Sequence, residues 1–179
     1  MATLTQLANK YTSDKGTEHY EKHGYTEEYA RYIPQKGEFN LLEIGIWHGD
    51  SIKMWNEYNP ELKIDTVDID RNVFNYIQDS DNVKIHIGNQ ADPVFLASVV
   101  GDKMYDFIVD DGSHNSADII ASIKVLYKHL KPGGYYFIED LHAPHASIIN
   151  TMLAVMKHVK GDHDIMDLKC NNKLLIIKK

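Results

Sequence analysis

From Phe39 to Lys179 short apolar runs alternate with stretches of helical periodicity, and that alternation constrains the fold more than any other feature of the chain. "FNLLEIG" reads as a strand, and "DSIKMWNEY" after it places Ile52, Trp55 and Tyr58 at helical spacing. "KIDTVDID" and "NVKIHIG" read as the second and third strands, separated by a short helix in "RNVFNYIQ". Pro93 opens the next helix, "PVFLASVV", at a position where a backbone N–H would have no helical partner anyway. "YDFIVDD" is the fourth strand, followed by a helix from about Ala117 to Leu130 that stops at "KPGG". "YYFIED" is the fifth strand, "HASIINTMLAVMKHV" the last helix, and "HDIMDLKCNNKLLIIKK" a closing hairpin turning at Asn171-Asn172. Strands joined through helices pair in parallel, with the helices packed on both faces. The expectation is an α/β domain over residues 39–179, with a mostly parallel seven-stranded sheet edged by an antiparallel C-terminal hairpin.

Residues 1–38 lack this pattern. Their middle, "TSDKGTEHYEKHG", is too polar to pack by itself, and Tyr25 to Tyr32 reads as a helix ended before Pro34. Two readings stand: a solvated extension, or a lid over a site, because open α/β sheets bind ligands outside the carboxyl ends of their strands. His19 and His23 read as solvated unless the lid brings one inward. At 179 residues, the chain suits one domain with a full core. The formal charge of −7 disfavours a broad nucleic-acid footprint, which needs a basic face. Cys170 is the single cysteine, so no intrachain disulfide forms and a reducing compartment is the default. "MATLTQLANK" has no signal-like apolar stretch, and no apolar run approaches a membrane span. These features read as a soluble, cytoplasmic protein with no membrane partner and with homo-oligomerisation left open.

"LLEIGIWHGDS" is a strand, a glycine turn and a helix start. Gly45 and Gly49 let the backbone approach a ligand, and Ser51 sits where helix amides can meet its polar groups. The spacing is G-x-x-x-G rather than the dinucleotide fingerprint, and Trp47 would crowd a pyrophosphate. Glu43 would repel phosphate but attract an ammonium group. A ligand with a cationic amino-acid end and no phosphate fits, and S-adenosylmethionine is such a ligand. Asp68, at the end of "VDID", is placed to accept both ribose hydroxyls, with helix capping as the alternative there and the favoured reading at Asp70. Asn89 or Gln90, in "GNQAD", is placed to reach an adenine edge, and Asp92 to cap the following helix.

With these motifs in order, the chain resembles class I S-adenosylmethionine-dependent methyltransferases over nearly all of Phe39 to Lys179. "EIG…G.S…MW", "DDGSH" and "IEDLH", preceded by "SDKGTEHY…HGYTEEY", look like the metal-dependent sugar O-methyltransferases of macrolide biosynthesis and proteins labelled cephalosporin-hydroxylase-like. The resemblance implies a Rossmann-like class I fold, magnesium and a hydroxyl substrate. Trp47 departs from the usual glycine-rich first motif of class I enzymes. The chain also lacks the large N-terminal domain of the macrolide enzymes, so their substrates do not carry over.

Asp110 and Asp111 end the fourth strand, and Glu139 and Asp140 the fifth. Neighbouring strands would bring four carboxylates to one rim, where a hard divalent cation removes their mutual repulsion; an all-oxygen set suits magnesium, or manganese or calcium. The resemblance points the same way, with a β4-end aspartate and an acidic pair after β5 as metal ligands. The sequence does not choose between Asp110 and Asp111, and Asp110 also stands against the cofactor. His114 is placed to take the proton of an acceptor hydroxyl beside Asp111, or to be an ordinary helix-start residue. His142 and His145 are placed for substrate or metal. No thiolate set or H-E-x-x-H helix supports zinc. Trp55, Tyr58, Phe74 and Tyr127 read as core. The favoured reading is a metal-dependent O-methyltransferase on a small polyhydroxylated acceptor such as a sugar or glycosylated metabolite. A nonenzymatic module that binds S-adenosylmethionine or metal competes with it, and a nicotinamide oxidoreductase less so.

Overall fold

The computed structural model describes residues 1–19, 22–141, 145–159, 165–169 and 174–179. Five parallel strands, β1 (Asn40–Ile44), β2 (Lys63–Asp68), β3 (Val83–Ile87), β4 (Tyr105–Asp110) and β5 (Leu130–Ile138), follow one another through helical crossovers. β6 (Ile165–Lys169) and β7 (Leu174–Lys178) add the antiparallel pair, giving a seven-stranded sheet in the order β3-β2-β1-β4-β5-β7-β6. The hairpin turn expected at Asn171-Asn172 lies outside the described residues. The strand order reverses between β1 and β4, and the carboxyl ends flanking such a reversal are where open α/β sheets bind ligands.

Strand periodicity sorts the core. Leu41, Phe107, Val109 and Phe137 face one layer, which holds α1 (Leu4–Lys10), α2 (Tyr25–Tyr29) and α3 (Asp50–Tyr58). Leu42, Ile108, Tyr136 and Ile138 face the other, which holds α4 (Pro93–Val100), α5 (Ser116–Leu126) and α6 (His145–Met156). Asp92 caps α4 as expected, accepting from Val94 and Phe95. The fourth crossover, from β4 to β5, differs from expectation. α5 ends at Leu126 and a 3-10 turn covers Tyr127–His129, so "KPGG" lies within β5 as an irregularity. Gly133, at φ +82, makes the kink possible, and its N–H is satisfied by the Lys179 carbonyl.

The first 38 residues are not a solvated extension. Leu4, Leu7, Ala8, Tyr25, Tyr29 and Ile33 are all buried in the same cluster as the first face of the sheet. A capping box between Thr3 and Gln6 starts α1. Leu4 and Leu7 each contribute about 1.5–3 kcal/mol by leaving water. In α2, Tyr25 and Tyr29 are one helical turn apart and both point inward. The packing therefore runs across the expected boundary at residues 38 and 39.

Candidate functional site

A cleft of about 770 Å³ opens at the carboxyl ends of β1, β2, β4 and β5. Gly45, Ser51, Asp68, Asp111, His114 and Asp140 line it together. Asn89 and Gln90 line a smaller pocket of about 240 Å³ that shares Gly45, Asp68 and Gly112 with the cleft. Through these shared residues the two spaces adjoin as a trough over the switch point.

The glycine turn sets its floor. Gly45 has φ +94, and a Cβ there would lie 2.1 Å from the Asp111 carbonyl oxygen. Only glycine lets the β1 turn pass this close to the end of β4. Gly49, at φ +73, caps α3. Asp68 Oδ2 accepts from the Ile46 and Trp47 amides at 2.8 and 3.2 Å, so the carboxylate expected on a ribose also pins the turn. Asp70 does what the capping alternative required, accepting from Asn72 N–H. Gly45→Ala is expected to cost the fold roughly 2–5 kcal/mol, overpacking plus left-handed strain. Urea denaturation checks it; a loss under about 1 kcal/mol would mean the turn relaxes freely.

Gln90 stands on the pocket wall with its amide engaged. Nε2 donates to Asp110 at 3.0 Å and Oε1 accepts from the Ser113 N–H at 2.7 Å. Asn89 accepts from the Ala91 N–H in a local turn. The geometry separates the two adjacent aspartates. Asp110 continues the strand alternation of Ile108, pointing beneath α5, where Gln90, Ser122 and Tyr136 donate to it. Burial raises its pKa. Asp111 lies past the strand end and faces the cleft. Asp111, His114 and Asp140 each offer one ligand atom, all within 4.8 Å of one another.

Glu43 and Glu139 do not join that group. Both are buried on the α3 side of the sheet, and the group that meets them is Lys15, a residue the sequence reading did not single out. Lys15 Nζ lies 2.9 Å from Glu139 Oε2 and 3.7 Å from Glu43 Oε1, and also donates to Asp111 Oδ2. The ammonium that Glu43 meets is thus the chain's own. Burial lowers the Lys15 pKa, but Asp111, Glu139 and Glu43 outweigh it and hold it well above its ordinary value. Tyr29 donates to Glu139, and Tyr25 donates to Asp140 at 2.5 Å. Desolvation, with Asp111 adding to it, pushes Glu139 well above the usual carboxylate range. His23 is nearly buried as well, its Nε2 3.6 Å from Asp140 and 3.9 Å from Asp14, rather than solvated. Trp55, Tyr58 and Tyr127 are core, as read; Trp55 Nε1 donates to Glu43 at 2.7 Å. His142 and the His145 side chain lie outside the described residues.

Burial raises the Glu43 pKa to about 7, against the opposing pull of Lys15. The folded protein then holds this proton more tightly than the unfolded chain. Stability from this group is complete below its unfolded pKa and is lost as pH rises toward 7. Glu43→Gln is expected to flatten that fall, which for one group is at most about 1.4 kcal/mol per pH unit. Denaturation of both proteins in chelator, between about pH 5 and about pH 7.5, measures it. Equal slopes would remove Glu43 as the cause.

Three residues around the cleft hold backbone conformations rare outside glycine: Trp47 at φ +47, His114 at +56 and Asp140 at +53. Such strain concentrates where side chains must be aimed at a ligand. Trp47 stacks on His48, and Tyr76 lies tilted against His48, with centroids 4.1 and 4.5 Å apart, making an aromatic side to the cleft.

The fold, the switch-point trough and the acidic rim together define a Rossmann-like α/β protein with a ligand-sized cleft at the carboxyl ends of its strands. The chain belongs to the methyltransferase domain family, whose model matches residues 42–141. It is 34% identical over 152 residues to L-olivosyl-oleandolide 3-O-methyltransferase of Streptomyces antibioticus, covering 76% of this chain and 36% of that protein. Mycinamicin VI 2''-O-methyltransferase of Micromonospora griseorubida is 30% identical over 148 residues, again 36% of its length. The chain therefore spans about a third of these relatives. Among solved structures, the MycE methyltransferase of the mycinamycin pathway, in complex with Mg, SAH and mycinamycin VI, superposes with TM-score 0.73 and 25% identity. That match covers 99% of this chain and 54% of MycE. Among the described residues no helix is long and apolar enough to cross a membrane.

Proposed function

We propose that this chain is the catalytic unit of a metal-dependent O-methyltransferase. It moves a methyl group from S-adenosylmethionine to a hydroxyl of a small polyhydroxylated acceptor, a sugar or glycosylated metabolite. The observation that carries the reading is the convergence of Asp111, Asp140 and His114 on one point of the cleft, beside the glycine turn. Two carboxylates lining the cleft with oxygens within 4.8 Å of each other fit a hard divalent ion such as magnesium, while an imidazole is a poor magnesium ligand. Asp111 and Asp140 would therefore hold the ion, with Glu139 behind them and Asp110 supporting the β4 end. A bound ion supplies Lewis acidity that orients the acceptor hydroxyl and lowers its pKa.

His114 is left as the base. Its imidazole takes the hydroxyl proton as the oxygen attacks the methyl carbon; the carbon–sulfur bond breaks, and the sulfonium leaves as a neutral thioether. Asp68 accepts the ribose hydroxyls, and Asn89 and Ile69 border the base pocket. Residues 13–15 already form one wall of the cleft, in reach of a ligand held there. Calorimetry tests the reading: S-adenosylhomocysteine should bind with micromolar affinity and NAD only weakly. Asp68→Ala should weaken the former by roughly 1.5–3 kcal/mol. Folded protein that binds no S-adenosylhomocysteine would end the methyltransferase reading.

A further inference from the structure

Lys15 is 1% exposed and lies in a segment without regular structure, yet its ammonium reaches the ends of three strands. It meets Glu43 from β1, Asp111 after β4 and Glu139 after β5. The other oxygens of the two glutamates take neutral donors, Trp55 Nε1 on Glu43 and the Tyr29 hydroxyl on Glu139. The positive charge facing this group thus comes from Lys15. A lysine is fully buried only where charges meet it, and here it enters from the N-terminal segment. One of its three partners, Asp111, is an acid proposed to hold the divalent ion, and a second, Glu139, stands directly behind that pair.

Resting on that reading of the rim, we propose that Lys15 sets the divalent-ion affinity of the centre. Its ammonium is an internal counter-ion that competes with the metal for Asp111 and neutralises Glu139 behind it. While Lys15 is in place, Glu139 is satisfied without a metal and Asp111 has one oxygen committed. The ion is then left with the remaining Asp111 oxygen and Asp140, a weak pair that accepts and releases it easily. The backbone around Lys15 supports a fixed position: its carbonyl accepts from Thr26 N–H, and the Asp14 carbonyl from His23 N–H. Lys15 is thus a positioning residue, acting on the ion through carboxylates.

The test is Mn2+ titration of the whole chain, followed by electron paramagnetic resonance without cofactor or acceptor. Lys15→Met removes the charge and keeps much of the bulk. It should tighten Mn2+ binding by about tenfold or more, because a unit positive charge is removed from beside a doubly charged ion. Lys15→Arg should stay within about threefold of the unaltered protein, because the charge remains. A merely structural lysine predicts the opposite for Lys15→Met, since a loosened site binds metal less well. If Lys15→Met does not fold, pairing it with Glu43→Gln removes a buried carboxylate along with the cation, and the same tightening is expected. Unaltered protein that binds Mn2+ as tightly as the Met variant overturns the role of Lys15 alone. Arg and Met variants that tighten equally also overturn it, because charge is then not the cause. If neither unaltered protein nor variant binds Mn2+, the metal centre and this inference fall together.

Discussion

Asp111→Asn should weaken divalent-ion binding by more than the ~10–100-fold seen when an outer-shell partner is lost, and abolish methyl transfer with it. Cofactor affinity should hardly change, because the trough over β1 to β3 carries that ligand. Asp110→Asn, one residue away, should behave differently. Its carboxylate accepts from Ser122 at 2.6 Å, Gln90 at 3.0 Å and Tyr136 at 3.3 Å, and an asparagine amide would turn a donor toward donors. Folding stability should fall by about 1–3 kcal/mol, while Mn2+ affinity stays close to that of the unaltered protein. Metal titration, S-adenosylhomocysteine calorimetry and denaturation on the same preparations separate the two. Should Asp110→Asn lose the metal and Asp111→Asn keep it, the rim has been assigned to the wrong neighbour.

Turnover of His114→Ala should drop by about 10²–10⁴-fold, the usual range for losing a general base. The same variant should bind Mn2+ and S-adenosylhomocysteine nearly as before. These readouts matter because His114 stands within 4.8 Å of both Asp111 and Asp140, where it is also placed to ligate a softer ion. A ligand role would show as lost Mn2+ affinity, and full turnover in the alanine variant would return His114 to a helix-start residue.

Much of the framework was legible because it rests on local periodicity. The strand–helix alternation, the glycine turn and the caps at Asp92 and Asp70 follow from rules that act within a few residues. The two aspartates of "VDDG" were separable in principle. Alternation along β4 puts Asp110 on the face of Ile108, under α5, and leaves Asp111 beyond the strand. Tyr25 and Tyr29, spaced one helical turn apart, likewise hinted at a buried face in the first 38 residues. Lys15 had no such signal. It lies 96 residues from Asp111 and 124 from Glu139, and a long-range charge contact leaves no period in the sequence. The glutamates were recognised as site-like, but their partner came from the one segment without a pattern.

The left-handed backbone at Trp47, His114 and Asp140 bears on how this protein responds to selection. At each position glycine would relieve the conformation, and at each it would delete a side chain that faces the cleft. A library screened for heat resistance alone should drift toward glycine there, yielding sturdier proteins with an emptied cleft. Screening the same library for activity as well should keep the three side chains against that drift. Here durability and chemistry pull on the same three backbone positions.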